Sequence, residues 1–191
     1  MAIVDQNNIT EGLSGKLGKR LVFRTTKKGN TILALSPIID PDRVQNEGQL
    51  AIQSAFTRAT SYAKSAKTQP LYVKLAKASD EDVSGYNLAV ADWFGQPEIM
   101  DVDRNGWTGQ MGHAIRIQAR DDTQVTSVQV RMQDADGTLL EQGQAVPSEM
   151  DALWWIYTTT SEVVSPTTCT FVVTAKDLPG NTTNWSGKIV S

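Results

Sequence analysis

Residues Val125–Gly143, VTSVQVRMQDADGTLLEQG, carry two β-strands and the turn that joins them. Val128, Val130 and Met132 fall on one side of an extended chain, and Ser127, Gln129 and Arg131 on the other. That period of two is the mark of a strand with one buried face. Asp134-Ala135-Asp136-Gly137 supplies the turn, with Gly137 free to take a positive φ.

Outward from this pair the same pattern recurs every 10 to 15 residues or so. Strands are expected at Glu98–Val102, Ala114–Arg120, Val125–Gln133, Thr138–Gln142, Ala152–Thr158, Thr168–Ala175 and Asn184–Val190. The inward sets are Ile115 with Ile117, Val128 with Val130, Trp155 with Tyr157, and Phe171 with Val173. Asp177-Leu178-Pro179-Gly180-Asn181 is the turn before the last strand. Seven short strands without intervening helices fit a sandwich of the immunoglobulin-like kind.

Toward the N-terminus the periodicity changes. Leu21-Val22-Phe23 and Thr31-Ile32-Leu33 are β-prone runs around the turn Thr26-Lys27-Lys28-Gly29-Asn30, which predicts a hairpin within Gly12–Pro37. A lone hairpin is marginally stable, so it must pack on something or pair with another strand. Asn46 with Gln49 three residues on predicts a capped helix start. Ile52, Ala55, Phe56, Ala59, Tyr62, Ala63 and Ala66 then form one apolar stripe at helical spacing. Pro70 opens a second helix through Leu71, Val73, Leu75 and Ala78, and Ser79 with Asp82 predicts a third through Val83, Leu88, Val90 and Trp93. Gly95-Gln96-Pro97 closes the helical part. The expected fold class is therefore α+β: a hairpin with two or three helices in residues 1–96, joined to a seven-strand immunoglobulin-like β-sandwich in residues 97–191.

At 191 residues, with 40% hydrophobic and 20% charged side chains, the composition is that of a globular protein. No run approaches the roughly 18 apolar residues of a membrane helix. The start, MAIVDQNNITEG, has neither a basic nor an apolar leader region, so a cytoplasmic protein or a component of an assembled particle is expected. The net charge of −3 hides a split. Residues 1–79 carry twelve Lys/Arg against five Asp/Glu, a net of +7, and residues 80–191 carry six against sixteen, a net of −10. Such a chain attracts copies of itself head to tail, or binds an anion with its basic end.

Two pieces resemble known families. Ala119-Arg120-Asp121-Asp122, Asp136-Gly137 and Ala175-Lys176-Asp177-Leu178-Pro179-Gly180-Asn181 resemble the turns of bacterial immunoglobulin-like modules. Ser14-Gly15-Lys16-Leu17-Gly18 with Val22-Phe23, followed by a helix holding Phe56, Ala59 and Tyr62-Ala63-Lys64, is similar to uncharacterised bacterial and phage-borne proteins. That second resemblance implies a hairpin-then-helix head and brings with it no established catalytic residues. Proteins of that kind often carry a basic residue late in the second hairpin strand, where this chain has Leu35.

No Ser-His-Asp set, zinc spacing, Walker loop or Gly-x-Gly-x-x-Gly occurs, and neither an enzyme nor a cofactor is expected. The single cysteine, Cys169, reads as a buried thiol, since nothing ties it to the only histidine, His113. Asp101-Val102-Asp103-Arg104-Asn105-Gly106 matches the first half of a calcium loop, but position twelve is Gly112 where a bidentate Glu is needed. A turn explains the same residues, and no metal is expected. Asp121-Asp122, Asp134 and Asp136 read as solvated turns.

Lys16, Lys19, Arg20, Arg24, Lys27 and Lys28 fall within thirteen successive positions, with Arg20 and Arg24 on one face of the first hairpin strand. Trp154-Trp155 places only one ring inward, leaving Trp154 on the outer face, where it packs against the helical head or serves a protein interface or a sugar. These seven are the candidate interaction residues. The expected role is a non-enzymatic structural or assembly protein that self-associates, with other protein subunits as further partners, into a filament, ring or virion-like particle. The alternatives are a nucleic-acid-associated protein acting through the basic hairpin, against which the overall acidity argues, and a carbohydrate- or surface-binding module using Trp154.

Overall fold

The computed structural model describes residues 2–4, 13–26, 29–38, 44–79, 83–164 and 168–188. In chain order these form β1 (Ala2–Val4), β2 (Gly15–Leu17), β3 (Leu21–Thr25), β4 (Thr31–Leu35), α1 (Glu47–Ala66), α2 (Pro70–Ala78) and α3 (Gly85–Phe94). There follow β5 (Glu98–Asp103), β6 (Ala114–Arg120), β7 (Val125–Gln133), β8 (Leu139–Gln144), β9 (Val146–Pro147), β10 (Trp154–Thr158), β11 (Thr170–Asp177) and β12 (Thr182–Lys188). The protein is α+β, with three helices and three antiparallel sheets among the described residues. It divides into two compact units: Met1–Arg58 with Thr68–Gly85, and Ala59–Lys67 with Tyr86–Ser191. This division differs from the single cut expected after residue 96. The second half of α1 and nearly all of α3 group with the C-terminal sheets.

In the second unit, one sheet runs β12-β11-β7-β8 and the other β5-β6-β10-β9. β7 and β11 pair with Val128 opposite Ala175, Val130 opposite Val173 and Met132 opposite Phe171. All six side chains are fully buried, as the alternation along β7 requires. Ile115 and Ile117 of β6 and Trp155 and Tyr157 of β10 join them in one core, so the two sheets share their inner faces. Trp107, from the loop after β5, adds an edge-on ring contact to Phe171 with centroids 4.9 Å apart. All four inward pairs read from the sequence lie in this core.

Among the described residues the strand count in this unit is eight rather than seven. After β8, Ala145 donates its N–H to Val128 O at 2.8 Å, and the chain then crosses to the other sheet, where Val146 and Pro147 pair with Ile156 and Trp155. Two residues carry no readable period, so β9 leaves no mark in the hydrophobic pattern. The turn after β7 forms as expected: Gly137 has φ 80° and donates its N–H to Asp134 O.

In the first unit the hairpin β3–β4 is not alone. β2 pairs with β3 and β1 with β4, giving a four-stranded sheet in the order β1-β4-β3-β2. The need for partners is thus met partly within the chain, and the open edges belong to the three-residue strands β1 and β2. Phe23 and Thr31 are buried on one face of this sheet. Across the same face, Leu17, Leu21 and Leu35 stand in one row, yet Leu17 is 59% and Leu35 71% exposed.

The helices start as their caps dictate, with one exception. Gln49 N–H donates to Asn46 Oδ1 at 2.8 Å, and Asn46 N–H donates to Gln49 Oε1 at 3.2 Å, a reciprocal cap for α1. Pro70 opens α2. Ser79, expected to start the third helix, instead closes α2 by donating its N–H to Leu75 O, and α3 begins at Gly85. Its expected partner Asp82 lies outside the described residues. The stripe on α1 is covered along only part of its length. Ala59, Ala63 and Ala66 are buried, while Ile52 is 69% and Phe56 54% exposed.

Because Phe171 sits at the centre of the shared core, Phe171→Ala is expected to destabilise the sandwich by about 3–5 kcal/mol. Ser186→Ala, on the exposed face of β12, is expected to stay within about 0.5 kcal/mol of the parent. Urea denaturation followed by tryptophan fluorescence measures both.

Candidate functional site

The basic residues of the first unit do not form the ribbon expected from alternation. Lys16 lies on β2, opposite Val22 of β3, and Arg24 lies two residues beyond Val22 on the same sheet face. Lys19 and Arg20 belong to the tight turn Gly18–Arg20 between β2 and β3, where Gly18 has φ 64°. Arg20 is therefore a turn residue and shares no strand face with Arg24. All four side chains are exposed. Lys27 and Lys28 lie outside the described residues. The result is two short basic elements, a sheet-face pair and a turn.

Trp154 and Trp155 separate as expected: Trp155 is buried and Trp154 is half-buried on the outer face of β10. The Arg116 guanidinium lies 4.8 Å from the Trp154 ring centre and covers part of its π-face. Ile156, on the same face, pairs directly with exposed Val146. Trp154 belongs to the second unit and the basic residues to the first.

In the second unit, Cys169, His113 and the Asp101–Gly106 turn each occupy a structural position. Cys169 is fully buried, and burial pushes its thiol up from the ordinary value, away from the thiolate a nucleophile needs. His113 is engaged through its backbone: its N–H donates to Thr159 Oγ1, and its carbonyl accepts from Thr159 N–H. In the Asp101–Gly106 stretch, Asp103 Oδ1 accepts the N–H of Asn105 at 3.0 Å and Asp101 Oδ1 that of Val102 at 2.8 Å. Those carboxylates serve the turn. Among the described residues no group of three or more His, Cys, Asp or Glu is placed to hold a metal ion. No helix among them is long and apolar enough to cross a membrane.

Two polar centres in the sandwich escaped the sequence reading. Asp177 is buried and caps the last turn, its Oδ1 accepting the N–H groups of Gly180 and Asn181 at 2.7 and 2.6 Å. The Asn181 side-chain amide then donates to the carbonyls of Trp93 and Gly95, tying the end of α3 to the β11–β12 turn. The second centre is Glu141, an inward-facing acid on β8. Its Oε1 accepts from Tyr157 Oη at 2.5 Å and from the N–H and hydroxyl of Thr160, and its Oε2 accepts from Ser161 N–H. Burial pushes this carboxyl up, but the hydrogen bonds from Tyr157, Thr160 and Ser161 outweigh it and hold the group below its ordinary 4.5. Burial first, then the bond to Glu141, raises the Tyr157 phenol. Gly143 makes room for the Tyr157 ring, since a Cβ there would meet Tyr157 Cε2 at 2.6 Å. The signal in the sequence was Glu141 two residues before a glycine, both on the inward phase of β8.

No protein-family model matches the sequence, and no curated protein matches it. Among solved structures, an engineered protein is similar to 55% of this chain at 18% identity, with a TM-score of 0.33. The match spans 26% of that protein's own length, and at this TM-score it carries no argument.

Because the folded state holds Glu141 below its ordinary pKa, its ionisation stabilises the fold above the unfolded value near 4.5. That stability is lost as pH falls from about 4.5 through the lower folded value. Glu141→Gln is expected to cost about 1–3 kcal/mol at pH 7 and to flatten this part of the stability–pH profile. Denaturant titrations between pH 3 and 7 on both proteins measure it.

Proposed function

We propose that this is a non-enzymatic structural or assembly protein that self-associates, the basic N-terminal unit of one copy docking on the acidic sandwich of the next. The observation that carries this is the half-covered stripe of α1. One apolar face runs the length of the helix, buried at Ala59, Ala63 and Ala66 and open at Ile52 and Phe56. The leucine row at Leu17 and Leu35 repeats the pattern on the sheet of the same unit. Open apolar surface of this kind marks a contact with another molecule. A second copy is the occupant because the charges match: net +7 over residues 1–79 meets net −10 over residues 80–191. Exposed Lys16 and Arg24, on the other face of that sheet, and Lys19 and Arg20 in the β2–β3 turn supply positive charge that steers the encounter. A head-to-tail contact is heterologous, so it closes into a ring or extends as a filament.

The sandwich itself is proposed to be immunoglobulin-like. Lettering the strands A to G from β5 onward, with β8 as C′ and β9 as D, gives sheets A-B-E-D and G-F-C-C′. That is the order of the immunoglobulin class, and it supports an adhesive module as the acidic half of the contact.

Light scattering over a concentration series at low salt tests the proposal. The intact chain is expected to rise in mass above the monomer and to fall back as salt screens the charges. The double variant Ile52→Glu/Phe56→Glu, altered only at exposed positions, is expected to keep its circular dichroism and remain monomeric. A monodisperse monomer from the unaltered chain at high concentration and low salt sinks the assembly reading.

A further inference from the structure

Asn105-Gly106 is the single Asn-Gly step in the sequence, and it forms the tip of the turn that leaves β5. Both residues are exposed, while their neighbours are anchored on either side. Arg104 Nη1 donates to Lys188 O at 2.9 Å, and its guanidinium lies 4.9 Å from the Trp185 ring centre. Trp107 is only 6% exposed and packs edge-on against Phe171. Trp107 N–H donates to Arg104 O at 3.1 Å and closes the turn, and Asn105 N–H donates to Asp103 Oδ1 at 3.0 Å.

Two groups at the tip are left unengaged. Among the described residues, neither the Asn105 side-chain amide nor the Gly106 backbone N–H makes a hydrogen bond. Gly106 has φ 80°, which its missing Cβ permits, and the place where a Cβ would stand is open. Those features suit an attack within the chain. The Gly106 nitrogen is the atom that closes a five-membered ring on Asn105 Cγ, and no side chain on residue 106 obstructs the approach. Nucleophile and carbonyl carbon are tethered by three bonds, so the reaction carries no cost of bringing them together from solution.

We infer that Asn105 is a self-modification site, converting to aspartate and isoaspartate by way of a succinimide. The Gly106 nitrogen forms a bond to Asn105 Cγ, the Cγ–Nδ2 bond breaks, and ammonia leaves with the proton that the Gly106 nitrogen gave up. Water then adds to one of the two ring carbonyls and opens the ring. Opening at Cγ yields aspartate, and opening at the main-chain carbon yields isoaspartate. One water is consumed and one ammonia released, with no change of oxidation state. Either product adds a negative charge near Asp103. The isoaspartyl form also puts one more backbone atom between anchored Arg104 and buried Trp107.

Peptide mapping by mass spectrometry, after incubating the folded full chain in heavy-oxygen water at pH 7 and at pH 9, tests the site. Asn30, Asn46, Asn181 and Asn184 are internal comparisons, since each precedes a residue with a side chain. The side chains of the last three are also hydrogen-bonded. Asn105 is expected to convert at least about tenfold faster than any of these, a barrier lower by about 1.4 kcal/mol. Its product is expected to hold one heavy oxygen, to separate into aspartyl and isoaspartyl peptides, and to form faster at pH 9, where the attacking nitrogen loses its proton more readily. Asn105→Gln, a change at an exposed side chain, is expected to remove the acidic species seen on isoelectric focusing. An Asn105 that keeps its amide in the folded chain while the urea-unfolded chain converts overturns the inference. Conversion no faster than that of the other four asparagines overturns it as well.

Discussion

Most of the ordered structure depends on the register between β7 and β11. Three cross-strand pairs, Val128–Ala175, Val130–Val173 and Met132–Phe171, put six fully buried side chains on one face. A slip of one residue would turn that face to solvent and bring Gln129, Arg131 and Thr174 inward. Nothing polar on the inner faces offers those groups partners in such numbers, so the slipped state is excluded by desolvation. With this pair set, β8 and β12 are placed on either side of it. The second sheet must then present Ile115, Ile117, Trp155 and Tyr157 to the surface that remains.

The N-terminal unit follows a different economy. Its buried apolar side chains among the described residues are Phe23 and Tyr72, against sixteen in the sandwich core. Small units with so little buried surface are held by disulfides, metals or association. A single cysteine excludes an internal disulfide, and that cysteine lies in the other unit. Association is the means proposed here, and the open positions on α1 and on the β2–β4 face are where it would have surface to act. Short edge strands and the charge of Lys16 discourage uncontrolled strand addition, so the contact proposed here uses side chains rather than the sheet edge.

Local chemistry made much of this legible in the sequence alone. The alternation in β6, β7, β10 and β11 named the inward residues, the Asn46–Gln49 cap located the start of α1, and Asp134–Gly137 located a turn. The misses share one physical cause, which is dependence on distant partners. β1 and β2 are three residues each and become strands only because β4 and β3 present free edges to them. β9 exists because Ala145 is bonded to Val128 and the chain must then cross to β10. Ser79 has the chemistry of a helix start, but the carbonyl of Leu75 claims its N–H first. Glu141 broke the inward apolar pattern and could be understood only once Tyr157, Thr160 and Ser161 were seen converging on it. The covered and uncovered halves of the α1 stripe are identical in pattern, so no local signal distinguishes them.

Hydrogen–deuterium exchange at two protein concentrations, one low and one high enough for the proposed association to set in, separates the two units directly. Amides of β7 and β11 are expected to exchange slowly and alike at both, since their protection arises within one chain. Amides of α1 before Ala59, and of β3 and β4, are expected to gain protection at the higher concentration, because binding to another copy stabilises the unit by mass action. Protection of α1, β3 and β4 that is the same at both concentrations would contradict a unit completed by its neighbour.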